Sequence, residues 1–391
     1  MHNFEFYWPV KSIVGQGEIR RTGIEARKLG KRALLVSGKA SVKKTGVLDK
    51  VTASLKSEGV DYILYDEIEP NPRSTAIDKA GLLAKKEKCD LVIGLGGGSP
   101  MDSAKAIALM AKSPEGVSVW DYMFCSKNFR KIEAQPLPAL LIPTLPATGS
   151  EGNPTSVITN WELHQKVHLM DNALFPKTAI IDPELIITLS NEQITYAGVD
   201  IVCHLLEPYL TTTGDAYVKD RMAEGVILTV MDLLPKALKD RKDIESLMNL
   251  SWSGTLACSP FRFMSWNGKG FLHWMEHCLS AWTDVPHSEG LSMLLPAWLK
   301  YMSRYKFFKY RLDMFGERMF GYEDSSVDTL IRWLDKVNAK RRLAKSYAPD
   351  IDRMAETLLA VYAGGKDFIE LPSGERMVRE DFAEIYNNAL K

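Results

Sequence analysis

Short apolar, β-branched runs alternate with longer amphipathic stretches through the first half of the chain: ALLVS at 33–37, YILY at 62–65, LVIGLG at 91–96, ALLIP at 139–143 and TAIID at 178–182. With helical spacing between them, over 47–58 and 75–88, these runs predict a parallel α/β layer. EPNP at 69–72 and the glycine run at 96–98 mark turns. After about residue 184 the strand pattern fades, and helical periodicity at 215–239, 243–258, 289–304 and 326–346 predicts an all-α second half. The expected division is an α/β domain over 1–183 and an all-helical domain over 184–391. No repeat, low-complexity tract or flexible linker interrupts the chain, so a site in a cleft between two packed halves is the default expectation.

Composition narrows the function. Forty-nine Lys plus Arg balance forty-nine Asp plus Glu, which argues against a dedicated nucleic-acid binder or an anionic-membrane binder. Apolar runs break before the roughly 20 residues that a spanning helix needs, and the opening MHNFEFYWPV lacks a signal-peptide pattern. The expectation is a cytoplasmic protein. The five cysteines are scattered without a C-x-x-C pair, which disfavours a disulfide framework or a Cys-rich zinc site.

Two loops invite a nucleotide. In LVIGLGGGSPMDSAK the glycines 96–98 follow an apolar strand, with Ser99 the expected N-cap, Pro100 the first helical position and Asp102 completing a capping box. Exposed N–H groups at such a helix start, unshielded by Cβ atoms, can cradle a diphosphate. The spacing matches neither G-x-G-x-x-G nor G-x-x-x-x-G-K-[ST], and a purely structural glycine turn is the alternative. PTLPATGSE at 143–151 puts Thr144, Thr148, Gly149 and Ser150 in a second loop of small donors after another strand. Loops at the carboxyl ends of parallel strands converge on one crevice, which favours a cofactor.

Seven histidines are present, and three fall within fifteen residues. Asp200 and His204 are four apart in a helical pattern, on one face one turn apart, which is chelating geometry. His273 and His277 share that spacing, and His287 follows a turn at Asp284–Pro286. Imidazole and carboxylate ligands without thiolates suit a catalytic divalent metal such as Fe(II), Zn, Mn or Ni. Spacing alone does not decide between His273 and His277. His164 and His168 are also four apart, but HQKVHLMD reads as strand and the pair is set aside.

GGGSPMDSAK, PTLPATGSE, IIDPEL, the D-x-x-x-H of Asp200 and His204, and the histidine series 273, 277, 287 together resemble the iron-containing (group III) alcohol dehydrogenase family. The likeness spans about residues 5–310. VSGKASVKKTGVLDK and IEPNP look closest to its butanol dehydrogenase-like, NADPH-linked aldehyde reductase branch. The resemblance implies dehydroquinate synthase-like architecture: an α/β dinucleotide-binding domain and a helical metal and substrate domain. It implies one divalent metal, Fe(II) or alternatively Zn(II), on Asp200, His204, His273 and His287, with His277 beside the nicotinamide. It also implies Gly97, Gly98 and Ser99 on the diphosphate, and Asn71, Thr144, Leu145, Thr148 and Lys166 around the ribose and nicotinamide. Asp102 and Ser150 join the expected cofactor residues.

This chain departs from the family at three places. Where many members carry an Asp for the adenosine ribose, it reads Ser37, Gly38, Lys39. Gly38 leaves room for a 2′-phosphate that Lys39 and Ser41 could pair with, so NADP(H) is expected over NAD(H). Ser288 follows His287 where many members have glycine. Trp266, Phe271, Trp274, Trp282 and Glu276 add bulk near the histidines, read mostly as core.

The implied chemistry is hydride transfer between the nicotinamide and a small primary alcohol or aldehyde, with His277 passing the proton. Glycerol dehydrogenase-like polyol oxidation is the nearer rival. A dehydroquinate synthase-like lyase is the further one, since Lys269 is the only cation near the site. A homodimer or higher homo-oligomer is expected, because relatives pair N-terminal strands and FEFYWPVKSIVG could be one.

Overall fold

The computed structural model describes residues 2–321, 326–339 and 349–390. They form two compact units. One comprises Tyr7–Leu189 with Lys242–Ser259; the other comprises the segment ending at Phe6, Ser190–Arg241 and the chain from Pro260 onward.

The first unit contains strands β1 (Lys11–Val14), β2 (Arg32–Gly38), β3 (Asp61–Ile68), β4 (Leu91–Gly96), β5 (Ala139–Pro143), β6 (Thr155–Asn160), β7 (Gln165–Met170) and β8 (Thr178–Ile181). Six of these make one parallel sheet in the order β1-β8-β5-β4-β2-β3, while β6 and β7 form an antiparallel hairpin. The five apolar runs read from the sequence are all sheet strands. Leu34, Leu35, Val36, Val92, Ile93 and Leu95 on the central strands have no exposed surface, as expected of a parallel sheet covered on both faces. Of FEFYWPVKSIVG only Lys11–Val14 is strand, and it lies at the sheet edge. His168 lies on β7, and His164 sits in the hairpin turn at φ 48°.

Helices α1 (Thr22–Leu29), α2 (Ser41–Lys44), α3 (Val47–Ser57), α4 (Ser74–Lys86) and α5 (Gly98–Met110) connect the strands. The capping expected at Ser99 is not formed. Helix α5 starts at Gly98, with Gly97 as N-cap and no side-chain cap, so Pro100 falls later in the first turn, where its missing N–H still costs nothing. The Asp102 carboxylate instead accepts from Ser150 Oγ (2.5 Å) and from the Val157 N–H (2.9 Å). Tertiary partners win because that strand N–H would otherwise lack an acceptor.

The second unit is built on helices α6 (Asn191–Thr211) and α7 (Tyr217–Lys239), and the next helix, α8 (Ile244–Cys258), belongs with the sheet. Then follow α9 (Phe271–Thr283), α10 (His287–Met302), α11 (Lys306–Phe320), α12 (Ser326–Lys336), α13 (Ile351–Tyr362) and α14 (Arg379–Leu390). The helical expectation holds apart from one short hairpin, Phe368–Glu370 with Arg376–Val378. The helix expected over 326–346 ends at Lys336, before Asn338 at φ 55°, and 340–346 lie outside the described residues. Helices α6, α9 and α10 pack against one another, and Asp284 at φ 59° turns the chain between the last two. Among the described residues, no helix is long and apolar enough to cross a membrane.

Candidate active site

The polar loops of the sheet unit are positioned by strand register. Gly96 pairs with Pro143, so the turn after β4 and the loop after β5 emerge side by side. A Cβ on Gly98 would lie 2.7 Å from Thr148 Cγ2, and one on Gly97 would lie 3.7 Å from Leu145. The Thr144 N–H donates to Gly96 O (2.8 Å). Gly97, Gly98, Thr144, Leu145 and Thr148 therefore lie side by side in one backbone-rich surface, and Ser99 lies in the first turn of α5. Ser150 and Asp102 use their polar groups on each other. Lys105, buried beneath them, donates to Ser150 O (2.9 Å) and Asn153 Oδ1 (3.1 Å). Asn71, held at φ 51°, accepts from the buried Lys166 Nζ at 2.8 Å.

Gly38 pairs with Ile68, which sets the turn after β2 beside Glu69. The exposed Lys39 ammonium donates to Glu69 Oε1 at 2.6 Å, and this hydrogen bond raises the lysine's pKa. Ser37 is buried, and Ser41 opens α2 on the surface.

In the helical unit, a capping box between Ser190 and Gln193 starts α6, which carries Asp200 and His204 one turn apart. Among the described residues, Asp200, His204, His273 and His287 form a cluster whose donor atoms all lie within 4.8 Å of one another. Asp200 Oδ1 is 3.5 Å from His204 Nδ1 and 3.9 Å from Nε2 of both His273 and His287. Donors about 2.1 Å from one tetrahedral ion would be spaced ~3.4 Å apart. Among the described residues, Asp200 Oδ1, His204 Nδ1 and His273 Nε2 are buried and find no hydrogen-bond partner. Such orphaned atoms are costly unless something completes them, and a cation fits this donor set. Burial pulls the His204 pKa down to about 3 and that of His273 well below its ordinary value, which favours the neutral, metal-binding form of each ring. The side chain of His287 is 23% exposed against 8% or less for the other three, which places the open side of the cluster there.

A layer of hydrogen bonds orients these rings. His273 Nδ1 lies 2.5 Å from Glu207 Oε2, and the other oxygen of Glu207 accepts the N–H groups of Leu272 and His273. Burial pushes the Glu207 pKa up to about 8, opposed by Arg262, whose Nη2 is 3.8 Å away. His287 Nδ1 pairs with the buried Glu276, which also accepts from Ser280 Oγ. Ser288 Oγ donates to Asp200 Oδ2 at 2.8 Å. Carboxylates behind imidazoles fix the tautomer and raise ligand basicity.

His277 stands outside the cluster of four. Its ring centroid is 5.5 Å from that of His287, and its Nδ1 is 3.1 Å from Tyr362 Oη. Tyr362 in turn stacks on Trp274 at 4.6 Å and 6°. The other bulky residues pack the unit: Phe271 is buried, Trp266 Nε1 donates to Asp220 (3.0 Å), and Trp282 Nε1 donates to Thr357 (3.2 Å). Sequence reasoning missed Glu207 and Tyr362. Glu207 was within reach, one turn beyond His204 on the same helix face; Tyr362, far along the chain, left no signal.

Family models describe the two halves. Iron-containing alcohol dehydrogenase matches residues 9–183, and the C-terminal model of the Fe-containing alcohol dehydrogenase family matches 194–390. The chain belongs to the iron-containing alcohol dehydrogenase family and is an oxidoreductase of that class. It is 36% identical to a probable NADH-dependent butanol dehydrogenase of Bacillus subtilis, with 87% of this chain and 86% of that protein covered. It is 32% identical to the NADPH-dependent aldehyde reductase YqhD of Escherichia coli, over 85% and 84% of the two chains. The crystal structure of the NADH-dependent butanol dehydrogenase A of Thermotoga maritima superposes with a TM-score of 0.91 at 34% identity, covering 100% and 99%.

Proposed function

We propose that this enzyme transfers hydride reversibly between NADP(H) and a small primary alcohol or aldehyde, working mainly as an aldehyde reductase. One divalent metal, Fe(II) with Zn(II) as the alternative, is held by Asp200, His204, His273 and His287. The observation that carries this reading is the set of buried, hydrogen-bond-free donor atoms facing one another in that cluster. When bound, the ion supplies Lewis-acid chemistry and positive charge where alkoxide character develops.

The chain's own residues do the rest. Glu207 and Glu276 hold the His273 and His287 rings by their Nδ1 atoms, leaving Nε2 of each turned towards Asp200. The glycine turn at Gly97, Gly98 and Ser99 offers backbone N–H groups to the diphosphate, while Asn71, Thr144, Leu145, Thr148 and Lys166 serve the ribose and nicotinamide side. His277, backed by Tyr362, is the residue that passes the proton. Gly38 and Lys39 support NADP(H), a 2′-phosphate competing with Glu69 for the ammonium. Self-association through the β1 edge of the sheet is part of the same proposal.

Anaerobically purified protein assayed for metal, then screened by nicotinamide absorbance with both cofactors against simple aldehydes and vicinal diols, tests this reading. Bound Fe(II) or Zn(II) and faster turnover of aldehydes with NADPH are expected. Turnover of diols alone moves the substrate assignment to polyols, and no turnover with any pair rejects the reading.

A further inference from the structure

The two oxygens of Asp200 meet opposite surroundings. Oδ1 is buried, makes no hydrogen bond and faces three imidazole nitrogens at 3.5–3.9 Å. Oδ2 accepts a 2.8 Å hydrogen bond from Ser288 Oγ. Ser288 lies in the first turn of α10, where a serine hydroxyl commonly bonds its own helix backbone. Here it reaches across to α6 instead.

A carboxylate beside a cation can offer one oxygen or both. A hydroxyl donating to Oδ2 withdraws electron density from that oxygen and fixes the rotation of the carboxylate plane. We propose that Ser288 is a positioning residue that commits Asp200 to present a single oxygen to the metal, and thereby sets both the affinity and the coordination number of the centre. The inference rests on the metal reading above.

Asp200 is fully buried, and Glu276 occupies the space beside Gly290, where a Cβ would fall 2.8 Å from Glu276 Oε1. Without Ser288, Oδ2 would be left as a buried carboxylate oxygen without that donor. The carboxylate would then rotate to share both oxygens with the cation or admit water.

The test uses the full chain stripped of metal by a chelator and titrated with Zn(II) against a chromophoric competitor, in wild type, Ser288→Ala, Ser288→Gly and Ser288→Thr. Loss of the hydroxyl in the Ala and Gly variants is expected to weaken Zn(II) binding about 10-fold or more, the range for removing an outer hydrogen-bond partner of a metal ligand. Thr, which keeps the hydroxyl, is expected to restore most of it. The melting temperatures of the metal-free proteins measure the cost to folding of the lost hydrogen bond separately from metal binding; if Ala fails to fold, Gly supplies the comparison. In the Co(II)-loaded proteins the visible bands should lose intensity in Ala and Gly as coordination rises above four. Equal Zn(II) affinity and equal Co(II) spectra in wild type and Ser288→Ala overturn the proposal, as does a Thr variant as weak as Ala. A wild type that binds no Zn(II) or Co(II) at all instead rejects the metal reading itself, and this inference with it.

Discussion

Glu207 Oε2 and His273 Nδ1 lie 2.5 Å apart with both side chains buried, joining α6 to α9 behind the cluster of donors. The other Glu207 oxygen holds two backbone N–H groups at the start of α9, so one carboxylate places both the helix and the ring. Replacing Glu207 by Ala frees the imidazole and leaves buried N–H groups without an acceptor. Metal affinity should fall about 10- to 100-fold, and stability by about 1–3 kcal/mol. Glu207→Gln, which keeps an acceptor for the N–H groups, should retain stability better than metal. Metal per chain after chelator dialysis, together with the melting temperature, checks both.

His273 and His277 occupy one helix face but different surroundings, which separates their mutants. His273→Ala removes a donor from the cluster of four, so metal and activity should disappear together. His277→Ala should keep its metal and lose mainly kcat, because that ring bonds Tyr362 and lies outside the cluster. Metal analysis alongside kinetics distinguishes them; retention of both metal and activity in His273→Ala would show the ligand set to be wrong.

The ion pair of Lys39 and Glu69 makes cofactor preference adjustable. Lys39→Asp should lower kcat/KM for NADPH about 10-fold, the worth of one charge-assisted hydrogen bond, with a smaller effect on NADH. Glu69→Gln should release the ammonium and favour NADPH. Equal responses with the two cofactors would mean that Lys39 does not read the 2′-phosphate.

Lys219 provides a pH test away from the donor cluster. Its buried Nζ has no hydrogen-bond partner among the described residues and lies 3.3 Å from the Phe261 ring centroid and 4.2 Å from that of Trp266. Burial, reinforced by Arg262, outweighs Asp220 and pulls its pKa down to about 6 from 10.5. Asp220 is engaged by Arg311 (3.1 Å) and Arg318 (3.4 Å). Between these two values the unfolded chain binds a proton that the folded one does not, so this group makes stability rise with pH from about 6 to 10.5. Lys219→Met should therefore raise the melting temperature by several degrees below pH 6, with the gain shrinking towards pH 10.5. A gain that is flat across this range would contradict the shift.

The sheet strands were legible because a strand buried on both faces needs a continuous apolar run, and the turn after β4 because Gly96, at φ 149°, adopts a backbone conformation that other residues rarely take. The capping box was not, since Asp102 satisfies a strand N–H and a hydroxyl brought close only by folding. Likewise the Lys39–Glu69 ion pair left no signal in the sequence, because the pairing of Gly38 with Ile68 is what sets Glu69 beside it.

By itself the sequence determined which residues share a helix turn, because the α-helical repeat places Asp200 with His204 and His273 with His277 whatever the surroundings. Spacing left His273 and His277 as alternatives that only the family resemblance separated; the tertiary structure brings His273 to Asp200, and it alone showed that Glu207, Glu276 and Ser288 hold the outer layer. Periodicity specifies the face of one helix; the packing of α6 against α9 and α10 selects which atoms on those faces meet.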